Sequence, residues 1–259
     1  MKRITTKILC AAIVLTISTL NVSAQERSMR IGFHASPLIS WINSNNNLIL
    51  KTGGNLGLKI GTTADIYFKE NYSFTVGINL AFNEGGEFLY EDRGSYLPKS
   101  DLSDPATLQI GDAGDPPMPD GTKIRYGLQY VELPIGLKIR SKEIGYIRYF
   151  VEAPVFNLAF LTRGRGDIES SAFPKFEGEN IYKDLSVFNV FWGLGAGIEY
   201  SISENNALIA GLYYQNGLID FTRDHGWSTG TSTDGQIIQV KEDSRSTVSN
   251  IMLKLGILF

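Results

Sequence analysis

The sequence predicts an all-β fold, an eight-stranded antiparallel up-and-down transmembrane β-barrel, on three observations. Apolar residues recur at every second position in eight long segments, which is the strand period. The links between those segments alternate between short and long. The face opposite the apolar one is crowded with glycine and alanine, as the interior of a narrow barrel requires. An even strand count with tight turns at one end and long loops at the other is the asymmetry of barrels that cross a bilayer.

The first 24 residues stand apart from this pattern. Lys2, Arg3 and Lys7 precede an apolar run from Ile8 to Leu20, and Val22-Ser23-Ala24 supplies a cleavage site before Gln25. The run is short of the roughly 20 apolar residues of a membrane span. Residues 1–24 are therefore expected to be a signal peptide, and 25–259 an outer-membrane β-barrel domain. Cys10 is the only cysteine, so the expected mature chain offers no disulfide, no thiolate nucleophile and no cysteine-bound metal. Its net charge of about −6 argues against nucleic acid as a partner. No later segment has 18 uninterrupted apolar residues, so no membrane helix is expected.

The strands are expected at 28–41, 52–68, 72–90, 122–140, 146–163, 185–202, 207–222 and 247–259. In the second, Leu56, Leu58, Ile60, Ala64, Ile66 and Phe68 oppose Gly57, Lys59, Gly61, Thr63, Asp65 and Tyr67. In the third, Tyr72, Phe74, Val76, Ile78, Leu80 and Phe82 oppose Ser73, Thr75, Gly77, Asn79 and Ala81. In the fourth, YVELPIGLKIR changes phase. Tyr126, Leu128 and Tyr130 are even-numbered, whereas Leu133, Ile135, Leu137 and Ile139 are odd, so a β-bulge near Val131-Glu132 is expected to return both sets to the lipid. Pro154 marks a similar irregularity in the fifth strand, since proline donates nothing to a ladder. The sixth alternates Val190, Trp192, Leu194, Ala196, Ile198 and Tyr200 with Asn189, Phe191, Gly193, Gly195, Gly197 and Glu199. The last, NIMLKLGILF, presents Ile251, Leu253, Leu255, Ile257 and Phe259 on one face.

The tight links are 69–71, 141–145 and 203–206, and the long ones 42–51, 91–121, 164–184 and 223–246. The 91–121 segment holds five prolines and six aspartates without a period, and is expected to be a mobile surface loop. Asp112, Asp115 and Asp120 lack the spacing of a calcium loop.

Aromatic residues gather near strand ends: Phe68, Tyr72, Tyr146, Tyr149, Tyr200 and Phe259 at the turn end, and Trp41, Phe82, Tyr126, Tyr214 and Phe221 towards the loops. Two such girdles favour an apolar face turned to lipid over a soluble barrel with its apolar face inside. The last strand must then pair with the first, because an open edge in lipid costs several kcal/mol per unsatisfied group. Phe259 would lie at the interface, where a terminal aromatic resembles the signal read by the barrel assembly machinery.

The inward set is expected to include Arg30, Lys59, Lys138, Arg148 and Lys254 against Asp65, Glu132, Glu152 and Glu199. Charges in a narrow tube must pair, and eight strands leave an interior just filled by side chains. The expectation is a lumen charge network that plugs the barrel. Catalysis has little material. His34 with Ser36 or Ser40 is the one conceivable start and His225 lies in a loop, so neither catalytic residues nor metal or cofactor sites are expected. Gly193, Gly195 and Gly197 have strand spacing and are lumen filler, not a phosphate loop.

YVELPIGLKIR, FNVFWGLGAGIEYSI, LIAGLYYQNGLIDF and NIMLKLGILF, in that order, resemble the PorT-like outer-membrane β-barrel family of Bacteroidota. The resemblance spans most of the chain after residue 24. It implies a Gram-negative cell surface and, from the family's namesake, a tie to type IX secretion and gliding. The 91–121 insertion does not match that pattern. The expected function is structural or interactive, with outer-membrane lipid around the barrel and an unidentified protein partner at the loops or turns. A barrel enzyme acting on lipid or peptide, or a small-ligand barrel, is the alternative.

Overall fold

The computed structural model describes residues 29–104, 118–231 and 237–259. The expected signal peptide, Asp112 and Asp115 lie outside the described residues. Alternation produces the strands β1 (Met29–Ser44), β2 (Ile49–Lys69), β3 (Tyr72–Tyr90), β4 (Gly94–Ser95), β5 (Thr122–Arg140) and β6 (Ile147–Ser170). They are followed by β7 (Phe173–Asn180), β8 (Phe188–Ser201), β9 (Ala207–Gly217), β10 (Trp227–Thr231), β11 (Ile237–Lys241) and β12 (Ser246–Leu258). Eight of them, β1, β2, β3, β5, β6, β8, β9 and β12, pair antiparallel in chain order. The ring closes where β12 meets β1, in register from Gly32 opposite Leu258 to Ser44 opposite Ser246. The Phe259 amide donates to the Ile31 carbonyl at 2.8 Å and extends that seam by one more bond.

The apolar stripes face outward. Leu56 is 76% exposed, and Phe33, Ile39, Phe74, Ile78, Leu212 and Leu253 are exposed with it. In water such a surface would be an aggregation hazard; in a bilayer it is the solvated face. All six aromatics expected at the turn end are exposed outward, and Phe259 packs edge-on against Phe33. At the loop end Trp41 and Tyr214 stack outside the wall and Phe82 is exposed, but Tyr126 and Phe221 point into the barrel. Phe160, Phe188 and Trp192 complete the outer girdle instead.

The expected bulge lies elsewhere. Even-numbered residues of β5 point inward without interruption from Thr122 to Arg140, so Tyr126, Leu128 and Tyr130 are lumen residues. The extra residues sit in the neighbours. In β3, Phe82 and Asn83 together oppose Gln129 alone, with Asn83 at φ 58°. In β6, register shifts fall at Ala153-Pro154 and at Thr162, the first where proline marked it. Each slip moves the following residues to the other face, which brings Glu84, Phe88 and Tyr90 inward.

The ends of the elements also differ from expectation. β6 runs on to Ser170 and forms with β7 a hairpin above the barrel. β4, β10 and β11 form a second, three-stranded sheet over the loop end. The described parts of 91–121 are packed, with Tyr96, Leu97, Leu102 and Met118 buried, so they are not a solvated loop. Apolar side chains at irregular spacing are covered by the loops rather than arrayed on a strand, which is why no period announced them.

Asn83 tests the displaced bulge. A left-handed residue other than glycine costs about 1–2 kcal/mol unless its side chain compensates, and Asn83 donates to the Leu56 carbonyl at 2.8 Å. Asn83→Gly relaxes the backbone but leaves the Leu56 carbonyl without its donor, whereas Asn83→Val loses the bond and keeps the strained φ, so the valine variant of the reconstituted barrel should be less stable than the glycine one by about 1–2 kcal/mol. Equal effects from both would place the constraint in the side chain and not in the backbone.

Candidate functional site

The lumen is filled in two different ways. Towards the turns the filling is ionic. Glu199 on β8 receives Lys138 at 2.6 Å, Arg30 at 3.2 Å and Arg140 at 3.3 Å. Lys138 also donates to Asp65 at 2.8 Å, and the Thr75 hydroxyl donates to the other Asp65 oxygen at 2.7 Å. Half-way up, Lys59 is fully buried between Glu132 at 2.8 Å and Glu84 at 3.1 Å, and donates to Gln215 at 3.1 Å. Asn250 adds a bond to Glu84 at 3.2 Å. Rings cover what remains of the ammonium groups: Lys138 lies 4.6 Å from Phe150 and Lys254 5.3 Å from Tyr213.

Seven of the nine expected network residues thus sit buried or nearly so inside the tube as pairs or ring contacts: Arg30, Lys59, Asp65, Glu132, Lys138, Glu199 and Lys254. Glu152 is buried near them and accepts from Thr75 at 3.3 Å, but among the described residues no cation lies within ion-pair distance of it. Arg148 stands apart. It pairs with Glu143 at 2.7 Å on the rim, where both side chains are about one-third exposed. Parity aims it inward, but the strand end lifts it into a vestibule of about 1180 Å³ that opens at the turns. Sequence reasoning missed Arg140 and Glu84. Arg140 shares the parity of Lys138 and was legible on that ground; Glu84 was hidden by the slip at Asn83.

Between the ionic groups lies a cavity of about 20 Å³, bounded by His34, Glu152, Asn157, Tyr213, Gln215 and Lys254. That is room for one water. His34 bonds to Ser36 at 3.0 Å and to Asn79 at 3.1 Å, so the imidazole is held from both nitrogens. Ser36 is fully buried, with no opening to lipid or to a peptide. Space is as tight around the glycines. A Cβ on Gly195 would fall 2.2 Å from the Tyr213 ring, and one on Gly197 2.7 Å from Phe150.

Towards the loops the filling is apolar. Phe88, Tyr126 and Phe221 meet edge to face or stacked at 5.4–6.4 Å, and Tyr130 meets Phe191 at 6.0 Å. The Tyr90 and Tyr126 hydroxyls share a bond of 2.6 Å, and the Tyr96 ring stacks on Tyr90 at 3.9 Å. Leu97, Met118, Ile181 and Leu185 close the top. Asp184 fastens this cap: it accepts the Lys99 amide at 3.0 Å and the Ser100 hydroxyl at 2.6 Å, and His225 lies 3.4 Å away. At the cap's rim, burial pushes the carboxyls of Asp220 and Glu242 above their usual range, against bonds from Thr222 and Ser244. A raised carboxyl is a cost carried at neutral pH and relieved as pH falls through the raised value, so mild acid favours the closed cap at these two positions.

A family model described as an outer membrane protein beta-barrel domain matches residues 23–223. The chain belongs to that family. Its apolar band is therefore an outer-membrane band, and its closed ring an outer-membrane barrel. No curated protein matches the chain. Among solved structures, neisserial surface protein A is similar at 11% identity and TM-score 0.41, over 89% of this chain and 96% of that one. The attachment invasion locus protein Ail of Yersinia pestis is similar at 12% identity and TM-score 0.35, over 89% and 97%. OprG of Pseudomonas aeruginosa follows at 9% and 0.39, over 89% and 94%. Likenesses at such scores bear no weight on function.

The ion pairs separate into groups that matter and one that does not. Glu199→Leu removes the anion shared by three buried cations and should cost roughly 3–5 kcal/mol. Arg148→Met breaks a pair held at the wet rim and should change stability by no more than about 1 kcal/mol. Heat-modifiability on unheated and heated gels measures both. Equal losses would mean that Arg148 is part of the buried network after all.

Proposed function

We propose that this outer-membrane barrel is a plugged scaffold whose working surface is its loop-end cap, in a structural or interaction role at the cell surface. The observation that carries the reading is the double closure of the lumen. An ionic layer around Lys138 and Lys59 lies beneath an aromatic layer around Phe88 and Tyr126. A tube closed twice by unlike chemistry is built to be filled, and what varies is then the cap. The short turns are taken to face the periplasm and the cap the outside, the usual sense of such barrels.

The resemblance of the β5 and β12 sequences to PorT-like barrels extends the proposal to an accessory part in protein secretion of the type IX kind or in cell-surface assembly. The partner would meet the cap or the vestibule at the turns. The enzyme reading is the weaker one, because Ser36 is fully buried and His34 faces a cavity no larger than a water. A small-ligand site inside the closed lumen meets the same objection of space.

Two measurements test this. Purified protein in planar bilayers should give no large, stable conductance; porin-sized steps would overturn the plugged reading. Protease added to intact cells should cut within 91–121 or 223–246, and cleavage confined to 141–145 or 203–206 would reverse the orientation.

A further inference from the structure

Outside the lumen, the strand faces change character abruptly at the loop-side edge of the apolar band. On β6 the outward residues run Phe156, Leu158 and Phe160, and then Arg163 and Arg165, with Asp167 and Glu169 only further out. Gln129 and Gly127 of β5 pair with the two arginines. Elsewhere the band ends on neutral residues at Asn43 on β1, Asn216 on β9 and Thr247 on β12, and on β2 a single cation, Lys51, lies 5.7 Å over the Trp41 ring. Cations therefore come first above the lipid in this sector, and acids second.

Both arginines are exposed, and neither has an ion pair among the described residues. Arg165 gives one N–H to the Gly178 carbonyl and keeps its others. The acids nearby are already engaged: Glu87 holds Arg125 at 2.8 Å, and Lys175 lies 2.7 Å from Glu177 and 4.0 Å from Asp167.

We propose that Arg163 and Arg165 form a site for the phosphate of an anionic lipid in the loop-side leaflet. A guanidinium fork matches two phosphate oxygens, and two forks two residues apart on one strand face bracket one headgroup. Their aliphatic stems lie along the wall beside Phe160 while the heads reach the interface. Acyl chains below such a headgroup would run against Phe160, Leu158 and Leu133. Charge at this height attracts anionic lipid strongly. An acidic protein partner approaching from outside would meet Asp167 and Glu169 first, which favours the lipid as occupant.

The test titrates purified protein in dodecylmaltoside micelles with dioctanoyl phosphatidic acid or dioctanoyl phosphatidylcholine and counts bound lipid by native mass spectrometry. The native chain should retain phosphatidic acid in preference. Arg163→Ala/Arg165→Ala should weaken that retention about tenfold or more, the loss of one or two charged hydrogen bonds. Arg163→Lys/Arg165→Lys, which keeps the charge and loses the fork, should keep only part of the preference, and Lys69→Ala/Lys142→Ala at the opposite rim should leave it unchanged. Each variant is scored only after unheated gel mobility shows a folded barrel, and Arg163→Gln/Arg165→Gln, with the same loss expected, stands in if the alanine pair fails. Equal retention by the native chain and the neutral pair overturns the proposal. So does displacement by millimolar inorganic phosphate, which would make a free anion the ligand.

Discussion

A backbone amide or carbonyl in the hydrocarbon core has no water to bond, and each one left unpaired costs several kcal/mol. Everything else in this barrel follows from meeting that demand. The seam between β1 and β12 joins residues more than 200 positions apart, so the first and last strands are useless to the bilayer until all the others are in place. Among the described residues, the strands at a sheet's edge are β4, β7 and β11, all at the loop end where water returns. The bulges obey the same rule. At Asn83 the side-chain amide takes the Leu56 carbonyl, doing locally what the interrupted ladder does not.

Closing the ring at eight strands then sets the interior. So narrow a tube admits side chains and little else, and whatever charge enters it must be neutralised by a neighbour across the lumen. Arg30, Lys59, Lys138 and Arg140 pair with Asp65, Glu84, Glu132 and Glu199, while Lys254 lies over the Tyr213 ring and Glu152 accepts from Thr75. The glycines of β8 are the counterpart of the large groups facing them. Gly195 and Gly197 leave the space that Tyr213 and Phe150 occupy, and those two rings in turn shield Lys254 and Lys138. A buried ion pair is weak evidence of stability by itself. Here it is better understood as the residue of a constraint: a polar lumen face distinguishes inside from outside along each strand, so register is specified at every step.

The parts legible in the sequence are those governed by strict alternation. The third and fourth strands were bounded at 72–90 and 122–140 as found, because tight turns and a long loop delimit them sharply. Lys59, Asp65, Lys138 and Glu199 were placed inward by parity alone. Where alternation slips, the reading failed in a consistent direction. Tyr126 and Tyr130 fall on the lipid side only if every apolar residue of a membrane barrel faces out, a rule that also requires a bulge in β5. The slip belongs to β3 and β6, and the aromatic residues are inside. The signal was present as Asn83-Glu84-Gly85-Gly86, a polar, glycine-rich break in an otherwise apolar stripe, with Gly85 at φ 128°. The cap was hidden for another reason. Leu97 and Met118 come from opposite ends of one long loop and Phe221 from another, and no period joins them.

The aromatic layer also bears on how the loops can behave. Phe88, Tyr90 and Tyr126 form an apolar floor that the ionic half of the lumen cannot cover, so the loops must cover it. A loop that inserts Leu97 or Phe221 into that floor is tied at its base and is not a free antenna. Asp184 ties the segments at 99–100 and 225 to the same point, and β4 joins the second long loop to the last through Ser95 and Trp227. Change is thereby confined to the outer surface of the cap, where Ile238 and Val240 on β11 are exposed and unconstrained by the lumen. A barrel organised this way separates its two tasks by height: strand parity and charge balance hold the wall in the membrane, and a few buried side chains fix the cap to it while leaving its surface open to variation.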